Sequence, residues 1–422
     1  MFIQERQLVG LIAILAYFTP TFSQEKKEAE MTPIQTVQTQ EAKSGWQSFM
    51  TDVRIGKGFV VESKNKTAKM QMHLRIQNQV SMNLDDQFAL DKTKAQVKRL
   101  RLSFKGYVYS PSFEYSIQLA LSPSGMADLP NGNSNMVRDA VITYRPSSRW
   151  SIGFGQQKLM YNREQVTSSG SLQFVDRSII NSFFALNRDF GFFGKYDFKV
   201  GSDAYLIGYG ALTLGEGPNF LEGSKSGFAY TGKLEYYPLG KFASSGQKVE
   251  GCYVREEKPK LLFATGYQYN DRILRNNGTA GDIILPGNER SLHNVMAEMQ
   301  FKYQGFGFIA DWMMRKSTNP LLYELEEVLD YSYTGNGVNI QASYIFPKNW
   351  ELAVRNATIL PEGKIQPYLG YERHNQTGVG ITRYIGGHNL KIQADASYHY
   401  KKGMDKSLYN PYEFRIQMQI GF

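Results

Sequence analysis

The sequence predicts an all-β protein, a transmembrane antiparallel β-barrel of about 16 strands with one long loop folded inward. Three observations carry that expectation. Apolar and polar residues alternate with period two in most segments after Met70, the connections are alternately short and long, and an export signal opens a chain that closes on an alternating strand ending in Phe422. The 422 residues are 42% hydrophobic and 14% aromatic, yet mean hydropathy is -0.40. No apolar run reaches the ~18 residues of a membrane helix. A barrel wall escapes that test, because alternation hides its hydrophobic face from a running average.

The elements follow in order. Leu8–Phe22 is apolar, lies behind Arg6, and is followed by small Thr21 and Ser23 just before Gln24, which marks residues 1–23 as a secretory signal peptide. An uncleaved anchor is the alternative, but the stretch is short and broken by Pro20. Residues 24–57 are expected to be a flexible periplasmic arm, since Gln24–Gly45 is Glu, Lys, Gln and Thr with little to bury. The barrel is then 58–422. Export to the bacterial outer membrane argues against a nucleic-acid partner, although the net charge is +9.

From Met70 the apolar set is Met70, Met72, Leu74, Ile76, Val80 and Met82, with His73, Arg75, Gln77, Gln79 and Ser81 between. The next run sets Leu100, Leu102 and Phe104 against Arg99, Arg101, Ser103 and Lys105. The pattern returns at 113–119, 150–154, 228–236, 306–312, 338–344, 350–354 and 414–422. Tight turns such as 110–112, 147–149 and 347–349 alternate with long loops, and an even strand number returns both termini to the periplasm. The long joint from Pro238 to Lys260 breaks the rule. A soluble sandwich would use strands of about 5–6 residues, whereas several runs here approach the ~9–11 of a membrane strand. Tyr144, Trp150, Tyr236, Tyr237, Tyr344 and Trp350 crowd strand ends like an aromatic girdle facing lipid. The terminal Phe422 resembles the signal read by the barrel-assembly machinery.

Chemistry at a site is weakly indicated. Five His without metal-ligand spacing and the lone Cys252 point to no metal, cofactor or redox centre, and no local Ser, His and Asp set specifies an enzyme. The lumen-facing charges are more informative. Arg99, Arg101 and Lys105 lie on one strand face, the first two about 7 Å apart with no acid between, and Arg75 faces the lumen from the strand before. Such a basic rail draws anions inward, while mixed wall charge that merely holds water is the plainer reading. The loop Leu159–Phe190 contains Leu172, Phe174, Val175, Ile179, Ile180, Phe183 and Phe184, so it should pack on the barrel interior. Folded inward, it brings Arg163, Arg177 and Arg188, with Lys158 at its base, to a constriction. Loop packing or subunit contact is the alternative, with Arg188 and Asp189 as a local ion pair.

The residues also resemble a known family, the phosphate-selective porin O and P channels of outer membranes. The likeness rests on Lys98-Arg-Leu-Arg-Leu-Ser-Phe-Lys-Gly106, Phe113-Glu-Tyr-Ser-Ile-Gln-Leu119, Asp139-Ala-Val-Ile-Thr-Tyr144, Gly153-Phe-Gly-Gln-Gln-Lys158, Asp176-Arg-Ser178, Asn187-Arg-Asp-Phe-Gly191 and Pro259–Tyr267, in that order. The resemblance implies a 16-stranded barrel, usually a homotrimer, whose basic lumen residues guide phosphate toward a narrowed zone, with Arg99 and Arg101 as rail residues. The expected function is passive, anion-biased diffusion of small solutes such as phosphate or polyphosphate. A general or carbohydrate porin, and a plugged structural or adhesion barrel, are the other readings.

Overall fold

The computed structural model describes residues 49–54, 56, 58–128, 134–219, 227–283, 288–324 and 327–422. The predicted signal peptide and the arm as far as residue 48 lie outside them. Sixteen strands form a closed antiparallel ring: β1 (Ala68–Leu84), β2 (Leu90–Val108), β3 (Phe113–Ala120), β4 (Val137–Tyr144), β5 (Trp150–Lys158), β6 (Arg188–Val200), β7 (Ala204–Thr213) and β8 (Ala229–Tyr237). The ring continues with β9 (Lys260–Ile273), β10 (Arg290–Tyr303), β11 (Phe306–Ser317), β12 (Gly335–Phe346), β13 (Trp350–Pro361), β14 (Arg373–Tyr384), β15 (Leu390–Lys402) and β16 (Tyr412–Gly421). Pairing of β16 with β1, from Tyr412 opposite Leu84 to Gly421 opposite Arg75, closes it.

Alternation places apolar side chains outside. Ile142 and Phe192 are 63% and 55% exposed on the outer face, whereas Gln268, Arg315 and Lys391 are fully buried on the inner one. At the rim bearing Phe422, Phe113 stacks on Tyr144, which meets Trp150 edge-on. Tyr237, expected in that girdle, faces inward instead and donates to Glu235 at 2.6 Å.

One departure from the sequence reading lies at the start of the barrel. Phe49–Arg54, expected within the flexible arm, is a strand paired with Gly58–Ser63, which in turn pairs with the first residues of β1. The reason is a mismatch in length. β16 ends where Leu74 and Phe422 exchange backbone hydrogen bonds, so the earlier residues of β1 would otherwise present an unpaired edge.

The interior is filled on one side. The loop between β5 and β6 folds inward as expected, with two short helices, α1 (Arg163–Val166) and α2 (Ile179–Phe184), the latter capped by the Ser178 side chain accepting from the Asn181 N–H. Leu159, Ile180, Phe183, Phe184 and Leu186 pack against Met296, Met313, Ala357 and Ile359 of β10, β11 and β13. Glycine makes the approach possible: a Cβ on Gly337 would lie 2.9 Å from both Ile180 Cγ2 and the Thr358 carbonyl oxygen. Gly337→Leu should therefore lift α2 from the wall. Single-channel conductance in potassium chloride is expected to rise while the barrel stays heat-modifiable on gels, and unchanged conductance would show that α2 does not narrow the lumen.

Candidate functional site

The charged site begins with two irregularities in the sheet. Register between β1 and β2 steps from Gln77 opposite Arg99 to Asn78 opposite Val97, so Lys98 is an extra, bulged residue. Between β3 and β4 it steps from Gln118 opposite Asp139 to Leu119 opposite Val137, which makes Arg138 a second bulge. Strict alternation would point both residues at lipid. The bulges let them join their neighbours instead: Lys98 and Arg99 both reach Asp176 at 3.0 Å, and Arg138 and Arg101 both donate to the Gly125 carbonyl, at 3.1 and 3.2 Å.

Arg75 stands directly opposite Arg101 across β1 and β2, a like-charge pair that a structural sheet avoids. Its Nη1 and Nη2 donate to the hydroxyls of Ser168 and Ser169 on the inward loop, at 2.7 and 2.9 Å. Below this rung a cavity of about 370 Å³ opens toward the Phe422 rim. Arg75, Arg101, Lys105, His73 and His388 line it with Ser, Gln, Asn and Gly residues, and no carboxylate is among its lining residues.

The remaining predicted residues divide. Arg188 belongs to the same wall, but its partner is Asp139, engaged through both carboxylate oxygens at 2.8 and 3.2 Å. Asp189, the expected local partner, accepts the N–H groups of Phe190 and Gly215. Lys158 donates to the carbonyls of Gln165, Val166 and Thr167, closing the end of α1. Arg177 donates to the carbonyls of Glu164 and Thr167, and burial together with nearby Arg99 holds its pKa below the ordinary value. Both add positive charge near the rail while holding the loop. Arg163 does not join them. It is buried beneath the loop between Glu235 and Glu298, and its Nη1 donates to the Gln247 carbonyl at 2.7 Å.

That last contact belongs to an element the sequence left unexplained. The segment between β8 and β9 enters the lumen from the Phe422 rim. Lys302 donates to three of its carbonyls, those of Gly246, Val249 and Gly251, at 2.6 to 2.8 Å. Glu250 accepts from the Gln173 N–H of the inward loop at 2.8 Å, and the Glu250 N–H donates to the Ser171 carbonyl. The two inserts thus meet inside the barrel, and the inward loop also touches the wall at Arg75, Gln77 and Arg99, beside the cavity under Arg75 and Arg101.

A model of the phosphate-selective porin O and P family matches residues 70–422. The chain belongs to this family. The porin also shares its fold with solved outer-membrane channels. DcaP of Acinetobacter baumannii aligns at 14% identity over 87% of this chain and all of that one, with a TM-score of 0.52. OmpF of Salmonella typhi aligns at 11% identity over 86% of this chain and all of that one, with a TM-score of 0.55. An anion-selective porin from Comamonas acidovorans aligns at 8% identity over 84% of this chain and all of that one, with a TM-score of 0.50. No curated protein matches the sequence. The chain is therefore an outer-membrane channel.

Burial, with Glu164 close by, pushes the Glu250 carboxyl up from 4.5 to about 7. A raised carboxyl pKa favours the protonated, docked form, so docking of the segment between β8 and β9 is full below pH 4.5 and weakens as pH rises through about 7. Cys252, buried at the foot of the segment, reports on this. Its labelling rate in the wild type, divided by that in Glu250→Gln, is expected to rise several-fold over that range, and a flat ratio would remove Glu250 from the docking.

Proposed function

We propose that this porin conducts small anions passively, with phosphate or polyphosphate among its solutes, along the wall formed by β1–β5. The observation that carries the reading is the carboxylate-free cavity lined by Arg75, Arg101 and Lys105, with Arg99 two residues before Arg101 on the same strand. Cations on the entry path raise the local anion concentration, and charge-assisted hydrogen bonds from guanidinium and hydroxyl groups suit phosphate oxygens. The anion-selective porin of Comamonas acidovorans, which shares this fold, and the family itself support the same direction.

The family points to a channel rather than an enzyme, and the wall cations all act by binding and release. A homotrimer in outer-membrane lipid fits the family and the trimer described for OmpT of Vibrio cholerae, a barrel of the same fold. Assembly through the final strand ending in Phe422 completes the reading. Against the plugged-barrel alternative stands the basic cavity under Arg75 and Arg101, which the inserts leave unfilled although Ser168, Gly170 and Ser171 of the loop line it.

The test is the reversal potential of single channels under a potassium chloride gradient. Arg99→Ala with Arg101→Ala is expected to lower the anion-over-cation permeability ratio by roughly half or more and to weaken block by added phosphate. A reversal potential identical to wild type would take the rail out of the mechanism.

A further inference from the structure

Most carboxylates inside the barrel are deeply buried, as Glu235, Glu298 and Asp395 are, and serve as acceptors that hold the inserts. Asp176 differs. It sits on the inward loop, where other groups also secure the backbone around it: the Val175 N–H donates to Asp395 at 2.8 Å and the Asp176 carbonyl accepts from Arg355 at 3.1 Å, while Asp176 Oδ1 accepts the N–H of Arg177 at 3.1 Å. Its carboxylate also reaches β2, with Oδ1 3.0 Å from Arg99 Nη2 and Oδ2 3.0 Å from Lys98 Nζ. The side chains of both Asp176 and Lys98 are 25% exposed, so solutes in the lumen can reach the pair. Burial works against its charge, but Arg99 and Lys98 hold the carboxyl well below the usual carboxylate range, so it stays anionic.

We propose that Asp176 is a built-in counter-anion of the rail, occupying the Lys98 and Arg99 pair in the absence of solute, displaced by each permeating anion, and thereby setting how long the anion stays. The inference rests on the anion-conducting reading above. Lys98, Arg99, Arg101 and Arg75 without an intervening acid would form a deep well, and a channel needs binding weak enough to release. A tethered carboxylate solves this by exchange. The entering phosphate takes over the charge-assisted hydrogen bonds that Asp176 gives up, and the returning carboxylate competes with it for the same donors, which shortens its stay.

The experiment titrates inorganic phosphate against the single-channel chloride current of wild type, Asp176→Asn, Lys98→Gln with Arg99→Gln, and the triple variant. Asp176→Asn is expected to lower the half-blocking phosphate concentration on the order of tenfold and to lengthen the blocked intervals, since one competing charge is removed. The triple variant should lose that gain. An unchanged or higher half-blocking concentration in Asp176→Asn overturns the proposal. So does a larger chloride conductance with lost selectivity, which would make the carboxylate a clasp for the loop. The two levels separate on the wild type: a wild-type channel with neither phosphate block nor anion bias sinks the anion-conducting reading, whereas a wild type that is blocked, with Asp176→Asn blocked identically, sinks the counter-anion alone.

Discussion

The structure depends on hydrogen bonds from the backbone of the inward loop to charged side chains of the barrel wall. An irregular loop placed inside a barrel has no ladder to join, and each buried backbone group left unpaired costs about 1–3 kcal/mol. Here the N–H groups of Arg163 and Val175 meet Glu298 and Asp395 of the wall, and that of Gln173 meets Glu250 of the second insert. The carbonyls of Leu172, Asp176, Phe183 and Phe184 meet Lys391, Arg355 and Arg315. Acids answer the donors of the loop and bases answer its acceptors. This complementarity fixes the loop and immobilises the charges that hold it.

The wall formed by β1–β5 is unlike an ordinary sheet in two ways. Arg75 faces Arg101 directly, at a cost of about 0.2–1 kcal/mol relative to a neutral pair. Two bulges then add Lys98 and Arg138 to the inner face without lengthening the barrel. A bulge is the economical way to concentrate charge, because two consecutive residues can serve one face where alternation would allow only one. The like-charged cluster persists because the rest of the closed barrel over-determines the strands that carry it.

How much of this was legible follows from how local each signal is. Period-two alternation is written in consecutive residues, so strands such as Phe414–Phe422 and the rail Arg99, Arg101 and Lys105 could be read directly. The greasy run from Leu172 to Phe184 announced an inward loop. Lys98 and Arg138 could not be read, because a bulge is a relation between two strands and the pattern of one strand assigns them to lipid. The hairpin before Ala68 was hidden for a similar reason, since its existence follows from how far β1 outruns β16. The segment around Cys252 docks chiefly through its own carbonyls on Lys302, which leaves little apolar signature, and its length at a joint expected to be short was the one hint. Nor can a sequence distinguish a cation that meets solute, such as Arg101, from one that caps carbonyls, such as Lys158, or lies between carboxylates, such as Arg163.

The cations of the basic wall share a property that decides how the channel can be both selective and fast. Arg75 donates to two serine hydroxyls, Arg101 to a loop carbonyl, Arg99 to Asp176 and Arg188 to Asp139. In the anion-conducting reading proposed above, an anion at these four cations exchanges hydrogen bonds, and an exchange of this kind is worth only about 0.5–1.5 kcal/mol for neutral partners and somewhat more for charged ones. In that reading selectivity comes from the summed positive potential of the wall, which acts on every anion that approaches. Release comes from partners that stay within reach of each guanidinium and recover it when the solute moves on.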